Sequence, residues 1–324
     1  MLTFSNSFGL RKLLSAALLV LYFAPVTRAQ GLGTEALTFF PADTHQIAYA
    51  DLSQLRTLPD YKQLRQVLFS QEMRNLEGLL QSMGSDPEQD VDEAVLGWRT
   101  NALSASQAFG LAEGSFNPTQ GQSSSATGTL RSRQYSGYTL TEYGAERGNG
   151  IFFTYLSSDL AAFGQLGDVE RLIDDYLGTK SSLNSNSDFA NWEAELEGSG
   201  AQWGITTGGA AATMAAPWLG VNSKSEAGTL ASFFKGVKAV LYKVDWSGND
   251  FDAQISVVCD NSQDAQTLQR LLLLGQNALP STSGASAAVS QFVRALQIST
   301  NGNRLVLEGS GPPQLLSEIL GGGR

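Results

Sequence analysis

The sequence predicts an α+β fold, built from antiparallel sheets with helices packed on one face, and it suggests two similar halves. Three observations carry that prediction. Strand-type segments alternate cleanly: Phe251, Ala253, Ile255, Val257 and Cys259 share one face, and Asp252, Gln254 and Ser256 the other. Half-buried antiparallel strands produce that pattern. Helical segments fall in pairs between groups of strands, not singly between parallel strands as in β-α-β folds. Of 324 residues, 42% are hydrophobic and 16% charged, enough apolar material for a core and enough length for one large domain or two ordinary ones.

The first element is an address. Arg11 and Lys12 precede an apolar run from Leu13 to Val26, Pro25 interrupts its end, and Thr27-Arg28-Ala29 sets small side chains at the third and first positions before Gln30. This is the layout of a secretory signal peptide over residues 1–29, cut after Ala29. The run is shorter than the ~20 apolar residues that span a bilayer. No Cys follows it, since the sole one is Cys259, so a lipid anchor at this point is excluded. Removing residues 1–29 takes away three basic and no acidic side chains, leaving the rest more acidic than the whole chain's −10. The expected location is therefore periplasmic or secreted, with no stable membrane span after signal cleavage.

After a short lead-in from Gln30 to Phe40, Pro41 to Thr44 makes a turn and Gln46 to Ala50 a strand. Leu52 to Met83 reads as two helices, stopped by Gly84-Ser85-Asp86-Pro87. Val91 to Trp98 and Gln107 to Phe116 are strands, and Asn117 to Thr129 is a Ser/Gly-rich loop. Gly137 to Tyr143 and Gly150 to Leu156 form a hairpin. Asp168 should cap a helix from Val169 to Leu177, a second helix spans Phe189 to Leu196, and Ala201 to Thr206 is a strand. Residues 207–228 are a Gly/Ala-rich connector that divides a first half, 30–206, from a second, 229–324. The second half begins with strands Gly236 to Trp246 and Phe251 to Cys259. Ser262 should cap a helix through Ala278 whose core stripe is Ala265, Leu268, Leu271 and Leu272, followed by a helix from Ser286 to Leu296. A hairpin turning at Asn301-Gly302 comes next, and after Pro312-Pro313 a terminal helix.

Composition excludes several function classes. One Cys forbids an internal disulfide, and one Cys with one His forbids the usual zinc sites. A net charge of −10 argues against nucleic acid as a partner. Gly31-Leu32-Gly33 and Gly148-Asn149-Gly150 lack the context of a phosphate loop, so no cofactor is implied.

The residues that could carry chemistry have plainer readings. His45, the only imidazole, sits at a loop-to-strand junction beside Asp43, with no Ser in a nucleophile-elbow motif to serve. Ser232-Phe233-Phe234-Lys235 has the S-x-x-K form of a penicillin-recognising serine enzyme, but the companion K-T-G is missing, and Lys235 reads as a residue near a helix C-terminus. The acidic run Asp86, Glu88, Asp90, Asp92, Glu93 lacks the Gly and distal Glu of a calcium loop and reads as a solvated turn. Asp174-Asp175 beside Arg171 reads as a wet helix face, and Cys259 as a small buried hydrophobe. No residue is therefore assigned as catalytic or as a metal ligand. The one partner-binding candidate is the apolar patch of Met214, Trp218 and Leu219 in the connector, where a loop is expected.

Phe40-Pro41-Ala42-Asp43-Thr44 leading into Ile47-Ala48-Tyr49-Ala50-Asp51-Leu52, then Phe109-Gly110-Leu111-Ala112-Glu113-Gly114-Ser115-Phe116, and the passage ending Ala201-Gln202-Trp203 together resemble uncharacterised exported bacterial proteins of the domain-of-unknown-function type. The resemblance implies a repeated α+β architecture outside the cytoplasm. It implies no reaction and carries over no catalytic residue. The expected function is thus a non-enzymatic binding or interaction protein of the bacterial envelope, with a protein or ligand partner. An envelope hydrolase using carboxylates or an unrecognised Ser is the alternative, and a subunit that self-assembles through its edge strands is the third reading.

Overall fold

The computed structural model describes residues 31–58, 61–68, 77–78, 80–81, 85–99, 108–116, 131–143, 150–196, 200–208, 210–211, 234–247, 250–278 and 287–321. The signal segment, the 117–129 loop, and most of the 207–228 connector lie outside them.

Among the described residues twelve strands form one sheet, antiparallel throughout. In chain order they are β1 (Gln46–Asp51), β2 (Val91–Trp98), β3 (Phe109–Gly114), β4 (Arg131–Tyr135), β5 (Tyr138–Tyr143), β6 (Ile151–Tyr155), β7 (Leu160–Gly164), β8 (Gln202–Thr207), β9 (Val237–Ser247), β10 (Asp250–Cys259), β11 (Gln297–Asn301) and β12 (Arg304–Gly311). Across the sheet the order is β11-β12-β10-β9-β8-β1-β2-β3-β7-β6-β5-β4. Outward from the central β1–β8 pair it runs β1, β2, β3, β7, β6 one way and β8, β9, β10, β12, β11 the other. Strand β8, which the sequence division assigns to the first half, lies between β1 and β9 and opens the second run.

The helices are α1 (Leu32–Phe39), α2 (Leu52–Leu55), α3 (Tyr61–Leu68), α4 (Pro87–Asp90), α5 (Leu166–Tyr176), α6 (Ser187–Leu196), α7 (Ser262–Ala278), α8 (Ala287–Ala295) and α9 (Pro313–Gly321). The α+β class is as the sequence predicts, while the sheet is single and its helices occupy both faces. Two side-chain rows explain why. On the first face Trp203, Tyr49, Val95, Leu111 and Ala162 stand in register across five strands. Helices α1, α5 and α6 bury Leu37, Leu172, Ile173 and Phe189 against that row. On the second face Ala50, Ala94, Ala112 and Ala161 align across four strands. Their small side chains let Leu52 and Leu55 of α2 pack close. Central strands that are apolar on both faces require cover on both.

Farther along the second face, α7 buries Ala265, Leu268 and Leu272 against Val257, Leu305 and Ile298. Leu271, expected in that stripe, is 39% exposed, because at 3.6 residues per turn it lies about 60° outside the arc that reaches the sheet. Four local expectations shift. The lead-in contains helix α1, since Leu32, Ala36 and Leu37 share a face that is fully covered. Helix α5 starts at Leu166, and Asp168 reaches the Arg99 guanidinium at 3.3 Å instead of capping the helix. The β4–β5 hairpin turns at Ser136 (φ 47°) and Gly137 (φ 88°), both left-handed as a two-residue turn of this hand requires. The last hairpin turns one residue later than expected, at Gly302-Asn303, with Gly302 at φ 59°.

Candidate functional site

Past β9 the first face changes character. The alternation that buries Phe251 and Val257 turns Asp252, Gln254 and Ser256 the other way, onto the side where α5 and α6 cover the central strands. Register then assembles a polar grid. Lys243, Gln254, Glu308 and Gln297 form one row across β9, β10, β12 and β11. Asp245, Asp252 and Ser310 form the next.

The Gln254 amide Nε2 donates to Glu308 Oε1 at 2.6 Å. The Asp245 and Asp252 carboxylates stand directly opposite each other. Neither they nor the Lys243 ammonium has a hydrogen-bond or ion-pair partner among the described residues. Like charges facing across a strand pair are unfavourable. An open cleft of about 500 Å³ is lined by residues of the grid, among them Lys243, Asp245 and Asp252, and by Phe292 and Ala295 of α8.

The carboxylates that hold protons most tightly lie elsewhere. Burial raises Glu93 above the ordinary range, with the Gly33 N–H donating to it at 3.1 Å as a partial offset. Glu93 stands in register between Asp51 and Glu113, so three acidic residues line neighbouring positions on β1, β2 and β3. Burial also raises Asp168, opposed by Arg99, and pushes Asp175 up to about 6, opposed by Arg171. These groups are enclosed by α1 and α5 and contribute to packing. Among the described residues no three His, Cys, Asp or Glu side chains gather closely enough to hold a metal ion.

The sequence-derived candidates are dispersed. Met214, Trp218, Leu219 and Ser232 lie outside the described residues. His45 is exposed, and its backbone extends β1, the N–H donating to the Trp98 carbonyl and the carbonyl accepting from Thr207. Lys235 sits in the short 3-10 helix Phe234–Gly236 before β9 and lines a second cleft of about 440 Å³ with Asp260 and Asp264.

The acidic run is divided among structural tasks. Asp86 accepts from the Glu88 N–H, Asp92 pairs with Arg56 at 2.8 Å, and Glu88 pairs with Arg65. Asp175 corrects the wet-face reading: its side chain is fully buried and paired with Arg171 at 3.3 Å, because the end of α5 turns that face inward. Cys259 is fully buried, and burial pushes its thiol up to about 11. The polar cleft escaped sequence reasoning. Alternation in β10 signals its polar side, but the four-strand register that aligns distant residues has no local signature.

No protein-family model and no characterised protein matches the sequence. The chain is similar in structure to TP0453. Crystal form I of that protein matches with a TM-score of 0.51 at 11% identity, covering 89% of this chain and 96% of that one. Crystal form III matches with a TM-score of 0.51 at 10% identity, covering 88% and 96%. At such identity the likeness is one of fold.

Proposed function

We propose that this chain is an exported protein of the bacterial envelope that binds a partner rather than catalysing a reaction. The observation that carries the reading is the open polar cleft on β9–β12, where two carboxylates and an ammonium stand with no hydrogen-bond or ion-pair partner among the described residues. A binding surface needs displayed, unsatisfied groups. A carboxylate hydrolase needs an acid that keeps its proton near neutral pH in contact with substrate. The carboxylates that burial drives in that direction, Glu93, Asp168 and Asp175, are engaged by Gly33, Arg99 and Arg171.

Export rests on the layout of residues 1–29. Among the described residues no helix is long and apolar enough to cross a membrane. The proposal also includes an internal duplication, supported by the matching strand order on either side of the β1–β8 pair.

The test is comparative capture from the native envelope. Wild-type protein and a variant carrying Asp245→Lys and Asp252→Lys are used in parallel, with N-terminal sequencing of the purified chain. A partner kept by the wild type and lost by the variant, with a mature end at Gln30, is the expected result. Identical captured sets, or an intact Met1 in the cytosol, would refute the binding and export claims respectively.

A further inference from the structure

We infer that the cleft receives an extended basic peptide segment of a partner protein, which continues the sheet beside β12 and places a Lys or Arg side chain toward Asp252, the nearer carboxylate of the Asp252–Asp245 pair. The inference rests on the binding reading above and names the chemistry of the partner. Strand β12 pairs with β10 along its whole length, but β11 covers only Arg304 to Glu308. Among the described residues, Gly309, Ser310 and Gly311 therefore have a strand on one side only. The gap has a local cause. The chain enters β11 directly from α8, with the Leu296 N–H still donating to the Phe292 carbonyl, so no residue remains to extend β11. A strand edge with free N–H and C=O groups is a template for an incoming strand.

The gap opens onto the polar grid: Ser310 stands directly opposite Asp252, which in turn faces Asp245. A Lys or Arg side chain carries its cation on a long flexible stem. Its cation would relieve the repulsion between two carboxylates that the folded chain leaves facing each other. Glu308 is already bonded to Gln254, so the Asp pair is the free acceptor. A net charge of −10 favours the approach of a basic partner. A free polyamine would satisfy the carboxylates but leave the strand edge unpaired.

The experiment uses the mature chain and a fluorescent heptapeptide alternating lysine and valine, followed by anisotropy. Three comparisons accompany it: the same peptide with glutamate for lysine, its backbone N-methylated form, and spermidine as competitor. Binding is expected for the lysine peptide alone. Asp245→Asn with Asp252→Asn should weaken it about tenfold or more, the scale of a lost charge-assisted contact. These residues are surface groups, and an unchanged thermal midpoint shows the variant folds. Retained affinity in the Asn variant, tolerance of N-methylation, or full displacement by spermidine at matched charge would each overturn the inference. So would no binding at millimolar peptide. If the lysine variant pair of the capture experiment still loses its envelope partner in that case, the peptide class fails while the binding reading stands.

Discussion

Substituting Asp175→Asn tests whether the buried carboxylate of α5 opposes folding at neutral pH. Its side chain is fully buried, and its pKa is pushed from 3.8 up to about 6, chiefly by burial, with Arg171 only partly compensating. The native state therefore binds this proton more tightly than the unfolded chain does. Unfolding free energy then falls as pH rises from about 4 to about 6, and the loss is complete above that window. At about 1.4 kcal/mol per pH unit, the unfavourable contribution at neutral pH reaches about 3 kcal/mol. Asparagine keeps the shape and the hydrogen-bonding edge without the charge. Arg171 is not stranded, because its Nη2 also donates to the Ser181 carbonyl at 2.9 Å and it is 25% exposed. Urea unfolding of both proteins between pH 4 and pH 8 measures the difference directly. The variant should match the wild type near pH 4 and exceed it progressively, by up to about 3 kcal/mol at pH 7.5. Glu93 and Asp168 are raised too, but they contribute equally to both proteins and cancel. A variant less stable than wild type at pH 7.5, with a deficit growing as pH rises, would show that the Arg171 ion pair outweighs burial and would refute the reasoning.

Gly97→Ala should destabilise the protein by about 1–3 kcal/mol in the same assay, because a Cβ there would stand 2.5 Å from Phe40 Cε1, which is itself packed on Phe109. Cys259 should react with a thiol reagent only at the rate of global unfolding, since it is fully buried and its thiol is held near 11; fast modification of the native protein would contradict this. Trp218→Ala should change partner binding or oligomeric state more than the thermal midpoint, and an unchanged pull-down with a large loss of stability would count against the connector patch.

Local patterns made much of the fold legible. Period-two alternation located β10, and helical spacing located α6 and α7. Elements whose character comes from neighbours were harder to read. Strand β7, Leu-Ala-Ala-Phe-Gly, is apolar on both faces and so has no alternation to detect. Strand β4, Arg-Ser-Arg-Gln-Tyr, is an exposed edge whose polarity resembles a loop, and it is held by Arg133 to Glu170 and Tyr135 to Asp174 across to α5. Asp175 was misread because a carboxylate on an isolated helix becomes a buried partner once Arg171 closes over it, whereas Asp168, read as a cap, falls inside the helix and pairs with Arg99. The cleft was illegible because its rows join residues more than fifty positions apart, such as Lys243 with Glu308.

The two runs of strands share an order but not a residue pattern on the face that α1 and α5 cover. In the first run the helix-facing row reads Tyr49, Val95, Leu111 and Ala162, and α1 and α5 seal it. In the second run, on the same face, the row reads Lys243, Gln254, Glu308 and Gln297. Trp203, stacked on Tyr49 at 5.4 Å, marks the boundary, with Lys243 its direct neighbour in the next strand. A polar row in that place gains nothing from a helix over it, and stability there is supplied from the opposite face by α7 and α8. Mutations in the exposed row should therefore separate the two roles: Asp252→Asn should leave the unfolding free energy within about 0.5 kcal/mol of wild type, as for ordinary surface positions, while altering what the protein retains from the envelope. A large stability loss at Asp252 would mean that the row is part of the core's support and not a surface kept for a partner.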